Sequence, residues 1–206
     1  MTDEPGRRER KKQRTRQALI DAAIELFERK GYEETTVAEI AAAADLSTRT
    51  FFLHFPTKED VLLVNAQTRF DLALRIISAP LAGETGTELL ARAMQEMITN
   101  SWNTDLPSGL AALRARLLTS VPELQARLLH HLHIGQEEMA DALHRTYPEQ
   151  LDRVDAAALV GAALGAVNAA ALTSIRQGDT AETVRAAMRR AADLAVRGFE
   201  VANPAT

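Results

Sequence analysis

Between Lys30 and Thr57 the chain carries helix-stop and helix-start signals so closely spaced that only short, tightly turned helices fit between them. Lys30-Gly31-Tyr32 reads as a helix end, with glycine at the left-handed position and tyrosine packing back. Thr36 with Glu39 three residues on is a capping box, so a second helix starts at 37. Asp45 interrupts it, and Ser47 is the N-cap of a third helix over 48–54. Leu46 and Phe51 stand at hydrophobic-staple positions. Pro56 stops that helix, and Thr57, with Asp60, caps a fourth that the pattern continues from Lys58 to about Ser78. Upstream, Leu19, Ile20, Ala23, Ile24, Leu26 and Phe27 form an apolar stripe that predicts a first helix over 13–30. The turn between the second and third helices has helix-turn-helix length, although any small helical bundle shares such turns.

The rest of the chain is also helical in pattern. Alanine, leucine and arginine dominate, and aromatics are only 4% of the 206 residues. Breaks at 80–86, 103–109, 121–122, 146–152 and 177–179 delimit helices near 87–102, 108–119, 121–146, 153–176 and 181–201. Ser120 with Glu123 reads as another capping box, and Gly178 with Thr180 as a C-cap and N-cap pair. The expectation is an all-α fold with a basic flexible arm over 1–12, a helix-turn-helix domain over 13–57 and a larger helical domain over 58–202.

Residues 47–55, STRTFFLHF, hold three of the chain's six phenylalanines. On a helical wheel Phe51 and Phe55 fall together and face a core. Arg49, Thr50 and Leu53 lie opposite, with Thr48 and Phe52 on one flank and His54 on the other. A helix that only served a core would show water small or charged groups, not a leucine beside an arginine and a threonine. The mixture suits a DNA major groove, where arginine is bidentate to guanine and an apolar tip meets a thymine methyl. Thr36 and Lys58 stand at helix starts, where free N–H groups favour phosphate. Simple capping and a solvated lysine are the alternative readings.

The net charge is −4, but its distribution is uneven. Arg7, Arg8, Arg10, Lys11, Lys12, Arg14 and Arg16 meet only Glu9 within ten residues. Such a run is either a solvated tail or an arm that follows a duplex. Its place ahead of the helix-turn-helix favours the arm.

Residues 16–62, RQALIDAAIELFERKGYEETTVAEIAAAADLSTRTFFLHFPTKEDVL, resemble the DNA-binding domain of the TetR family of bacterial transcriptional regulators. The resemblance rests on Phe27-x-x-x-Gly31-Tyr32, Thr36-Val37-x-x-Ile40-Ala41, Leu46-Ser47-x-x-Thr50-Phe51-Phe52-x-His54-Phe55, and Lys58-Glu59-x-Val61-Leu62. It implies a homodimeric repressor whose C-terminal domain binds a small-molecule effector of unknown identity and then releases a near-palindromic DNA operator. It also implies that Thr36, Thr48, Arg49, Thr50, Phe52, His54 and Lys58 occupy DNA-contact positions. The sequence departs from the family pattern at Asp45, commonly glycine, at Phe52, commonly tyrosine, and at Leu53, often polar or basic. The operator sequence therefore does not carry over.

For the larger domain, Gly161 and Gly165 are four apart among alanines, a spacing that lets two helix backbones approach closely. Together with Met188 and Phe199 on the last helix they are the candidates for a dimer interface. Packing within one chain explains the same pattern. Met94, Met97, Trp102, Leu113, Leu117, His130 and Met139 are candidates for a ligand pocket, with plain core as the alternative. His130, His133 and Glu137 share a helix face, but without cysteine or a further histidine cluster no metal is expected. No cofactor is expected either, and no glycine-rich phosphate loop, His-x-x-x-His pair or cysteine nucleophile marks an enzyme. The apolar run 156–172 is mostly alanine and contains Asn168, so it reads as a buried helix, not a membrane span. No apolar stretch follows the N-terminal charges, so a cytoplasmic location is expected.

Overall fold

The computed structural model describes residues 4–105 and 110–202, and among them it shows ten α-helices and no strand. The first helix, α1 (Glu4–Lys30), takes in the basic segment expected to be a flexible arm. The cause is local. Arginine, lysine, glutamine and glutamate fill positions 7–14 without a glycine, proline or β-branched residue, and all four propagate helix well. The helix is anchored further on by Leu19, Ala23 and Phe27, which are buried.

Helices α2 (Val37–Ala43) and α3 (Thr48–His54) begin where their caps predict. The turn between them contains Asp45 at φ 55°, the one non-glycine residue with positive φ among those described. Leu46 N closes the turn by donating to Ala41 O at 2.8 Å.

The expected single helix from Lys58 to Ser78 is two, α4 (Lys58–Leu62) and α5 (Ala66–Ile77). Leu63 and Asn65 leave helical geometry at φ/ψ of −103°/14° and −95°/0°. Nothing in the local sequence breaks a helix there. Side chains from elsewhere take the freed groups. Arg16 Nη2 donates to Val64 O at 3.2 Å, and Arg114 Nη1 donates to Leu62 O at 3.4 Å.

The remaining helices are α6 (Gly86–Asp105), α7 (Leu110–Leu118), α8 (Pro122–Thr146), α9 (Arg153–Arg176) and α10 (Ala181–Ala202). The expected Ser120–Glu123 box does not form. Val121 is the N-cap because Pro122 takes the first helical position, and Ser120 Oγ turns back to Arg116 O at 3.4 Å.

Two cores result. The first joins α1 to α4 with Leu113, Leu117 and Leu124 from α7 and α8. Val61 and Leu62 of α4 belong to it, so the first core extends past residue 57. The second core is built by α5, α6, α8, α9 and α10 around Phe70, Leu89, Leu90, Met139 and Leu159. Gly135 lets α8 close on α5, because a β-carbon there would lie 2.2 Å from Phe70 Cε1. By length and composition α9 passes for a membrane span, but Ala156, Leu159, Val160, Ala163 and Leu164 lie in the second core.

Candidate nucleic-acid interface and internal cavity

Helix α3 is held from one side. Phe51 and Phe55 are 0% and 1% exposed, their ring centroids 5.7 Å apart. Ser47 Oγ accepts from Thr50 N at 3.1 Å and fixes the helix start. Arg16 lies over the Phe55 ring, 5.3 Å from its centroid. On the opposite side Phe52 is 57% and Leu53 74% exposed, beside exposed Thr48 and Arg49 and half-buried Thr50. His54 is half-buried. Burial, then the charges of Lys12 and Arg16, push its pKa below the ordinary histidine value. The ring is therefore neutral at neutral pH and offers hydrogen bonds in place of charge.

Two expected phosphate contacts have other commitments. Thr36 donates from its backbone N and its hydroxyl to Glu39 Oε2, both at 2.9 Å, and that carboxylate also pairs with Lys30 Nζ at 2.5 Å. Lys58 Nζ donates to Tyr32 O at 3.0 Å and Thr35 O at 3.4 Å and sits 4.0 Å from the centre of the Tyr32 ring. Its ammonium secures the end of α1 against α4. The basic residues Arg7, Arg8, Arg10, Lys11 and Lys12 are exposed along the first half of α1.

Between the two cores lies a cavity of about 380 Å³. Of the residues proposed from the sequence for a ligand pocket, Met94, Met97 and Trp102 line it. Leu113, Leu117, His130 and Met139 do not. Leu113 and Leu117 face the first core, and Met139 is fully buried in the second. His130 sits in a shallow surface depression with Glu59 and Arg127, while its neighbour His131, a third of a helical turn away, reaches the cavity wall. Met188 lines the cavity, and both Met188 and Phe199 are partly buried against the second core. His133 pairs with Glu137 at 3.4 Å on the exposed side of α8, and no cluster of three or more metal-ligating side chains occurs among the described residues.

Arg69, Asp105 and Arg114 form a cluster that no sequence pattern announces. Asp105 is fully buried at the end of α6, and its Oδ2 lies 3.0 Å from Arg69 Nη1 and 2.6 Å from Arg114 Nη2. Asn65 Nδ2 donates to its Oδ1 at 2.5 Å. Burial pushes the carboxyl up, but the charges of Arg114 and Arg69 and the bond from Asn65 outweigh it and hold the pKa below the ordinary value. The cluster ties α6 and α7 to the α4–α5 break.

A helix-turn-helix with an exposed mixed face, joined to a helical domain around a cavity, defines a class of DNA-binding regulator. Residues 19–64 match the model for bacterial regulatory proteins of the tetR family. Over 141 residues the chain is 35% identical to the HTH-type transcriptional regulator TcmR of Streptomyces glaucescens, covering 68% of this chain and 62% of that one. The matched region thus spans less than two thirds of that relative's length. The fold is that of a TetR-family regulator from Mesorhizobium loti, at TM-score 0.60 and 20% identity over 93% of this chain and 97% of the other. It is also that of SmeT from Stenotrophomonas maltophilia in complex with triclosan, at TM-score 0.56 and 19% identity over 91% of this chain and 90% of the other. The chain belongs to the TetR family of transcriptional regulators.

Proposed function

We propose that the chain is a cytoplasmic, ligand-responsive repressor that binds a near-palindromic DNA operator as a homodimer and is released by a small molecule held in the cavity. The observation that carries this reading is the two-sided chemistry of α3: phenylalanines fully buried behind, with Leu53 74% exposed beside Arg49 in front. The exposed basic half of α1 supports it by offering charge to the phosphate backbone. On α9, Ala158, Ala162, Gly165 and Ala169 leave an exposed, smooth face, flanked by Val154 at 75% exposure and by Leu194 of α10 at 66%. That face supports pairing of two copies through α9 and α10. The bound triclosan of SmeT supports the cavity as an effector site.

A mobility-shift titration with the DNA flanking the protein's own gene tests the reading. Binding specific to that DNA and falling steeply with salt is expected. Arg49→Ala is expected to weaken it by about 1–3 kcal/mol. Equal affinity for unrelated DNA would overturn the proposal.

A further inference from the structure

The cluster beside the cavity is unbalanced in charge. Two guanidiniums, Arg69 and Arg114, share the single carboxylate of Asp105. Each arginine side chain keeps 14% of its surface accessible, and both line the cavity. Around them the wall is mostly apolar, formed by residues such as Phe70, Met97, Ile98 and Trp102, with Ser101, His131 and Asn168 among its polar members. Among the described lining residues the one acid is Asp179, which is exposed and accepts from Ser174 Oγ at 2.5 Å. Among the described residues, one of the two positive charges of the cluster therefore has no buried counter-charge of its own, and an unpaired charge facing an apolar chamber is costly. Arg69 registers that cost. Burial first, then the charge of Arg114, bring its pKa down to about 10 despite Asp105.

We propose that the ligand of this cavity is an amphipathic anion, with an apolar body and one carboxylate head held by Arg69 and Arg114. A single negative charge matches the single surplus positive one, and the planar guanidinium fork suits a carboxylate. The volume of about 380 Å³ falls within the range of roughly 300–1,000 Å³ usual for small-molecule sites. This inference rests on the reading of the cavity as the effector site. A cluster that served only to brace the α4–α5 break would instead favour neutral ligands, which keep no charge out of water.

Trp102 is the chain's single tryptophan and lines the cavity, so its fluorescence reports on occupancy. Decanoate is compared with decanamide, and 4-cyclohexylbenzoate with its amide, by titration of the full chain, each also tested for release of DNA in the mobility-shift assay. At least one carboxylate is expected to bind about tenfold or more tightly than its amide, the scale of a hydrogen bond to a charged group. Arg69→Met leaves Asp105 and Arg114 as a balanced pair and is expected to abolish that preference. The wild-type comparison decides the matter even if the variant does not fold. Amides that bind as well as the carboxylates would overturn the anionic head, and their release of DNA would leave the effector-site reading standing. No response of Trp102 to any of the four probes would overturn the proposed class of ligand. Carboxylate binding without release of DNA would keep the ligand class and sink the effector role.

Discussion

Phe51 and Leu53 are two residues apart and do opposite work. Phe51 is 0% exposed and closes the first core, so Phe51→Ala is expected to cost about 3–5 kcal/mol of stability by denaturant unfolding. Leu53→Ala removes a side chain that is 74% exposed, so stability is expected to stay within about 0.5 kcal/mol while the preferred DNA sequence changes. Equal destabilisation by both would contradict the outward assignment. Asp105 is the other residue on which much depends. Asp105→Asn leaves two buried guanidiniums without a counter-charge and is expected to lower stability by about 3–5 kcal/mol. A loss below about 1 kcal/mol would show that the cluster is not under electrostatic tension. The α3 residues were legible in the sequence because an i, i+4 pair assigns both faces of a helix at once. The cluster was not, because Arg69 and Asp105 are 36 residues apart and meet only through tertiary packing.

At the scale of elements, what the sequence shows well is what is local. The Thr36–Glu39 box and the Ser47 cap form where the pattern places them, since each side chain bonds backbone three residues away. The break between α4 and α5 was invisible, because Arg16 and Arg114 stabilise it from distant helices. His131, not His130, meets the cavity for a similar reason: helix rotation is set by packing, and a one-residue error turns the face by about 100°. The α2 box also carries a pH dependence. Lys30 first, then the backbone and hydroxyl of Thr36, bring the Glu39 pKa from 4.5 down to about 2. A depressed carboxyl stabilises the fold above its unfolded pKa and loses that contribution as pH falls toward the folded one. Stability measured between pH 5 and pH 2 should therefore fall less in Glu39→Gln than in the wild type. Identical pH profiles would show that the box does not operate in solution.

For the whole molecule the proposed pairing of two copies decides how α3 is set against DNA. A β-carbon added at Gly165 meets nothing within 4 Å inside one chain. Gly165→Leu is thus expected to leave the melting of the monomer unchanged while weakening self-association in sedimentation. Unchanged association would remove this face of α9 from the proposed interface. The same geometry predicts how the pair meets its site, since a twofold dimer sets its recognition helices about 34–36 Å apart, one turn of DNA. The most direct measurement is a footprint of the wild-type protein on the DNA that flanks its own gene. Two protected half-sites in inverted repeat are expected, their centres separated by one helical turn or a whole multiple of it, with both lost in Arg49→Ala at the same protein concentration. A single protected site, or protection that Arg49→Ala leaves untouched, would contradict a dimer that reads DNA through α3.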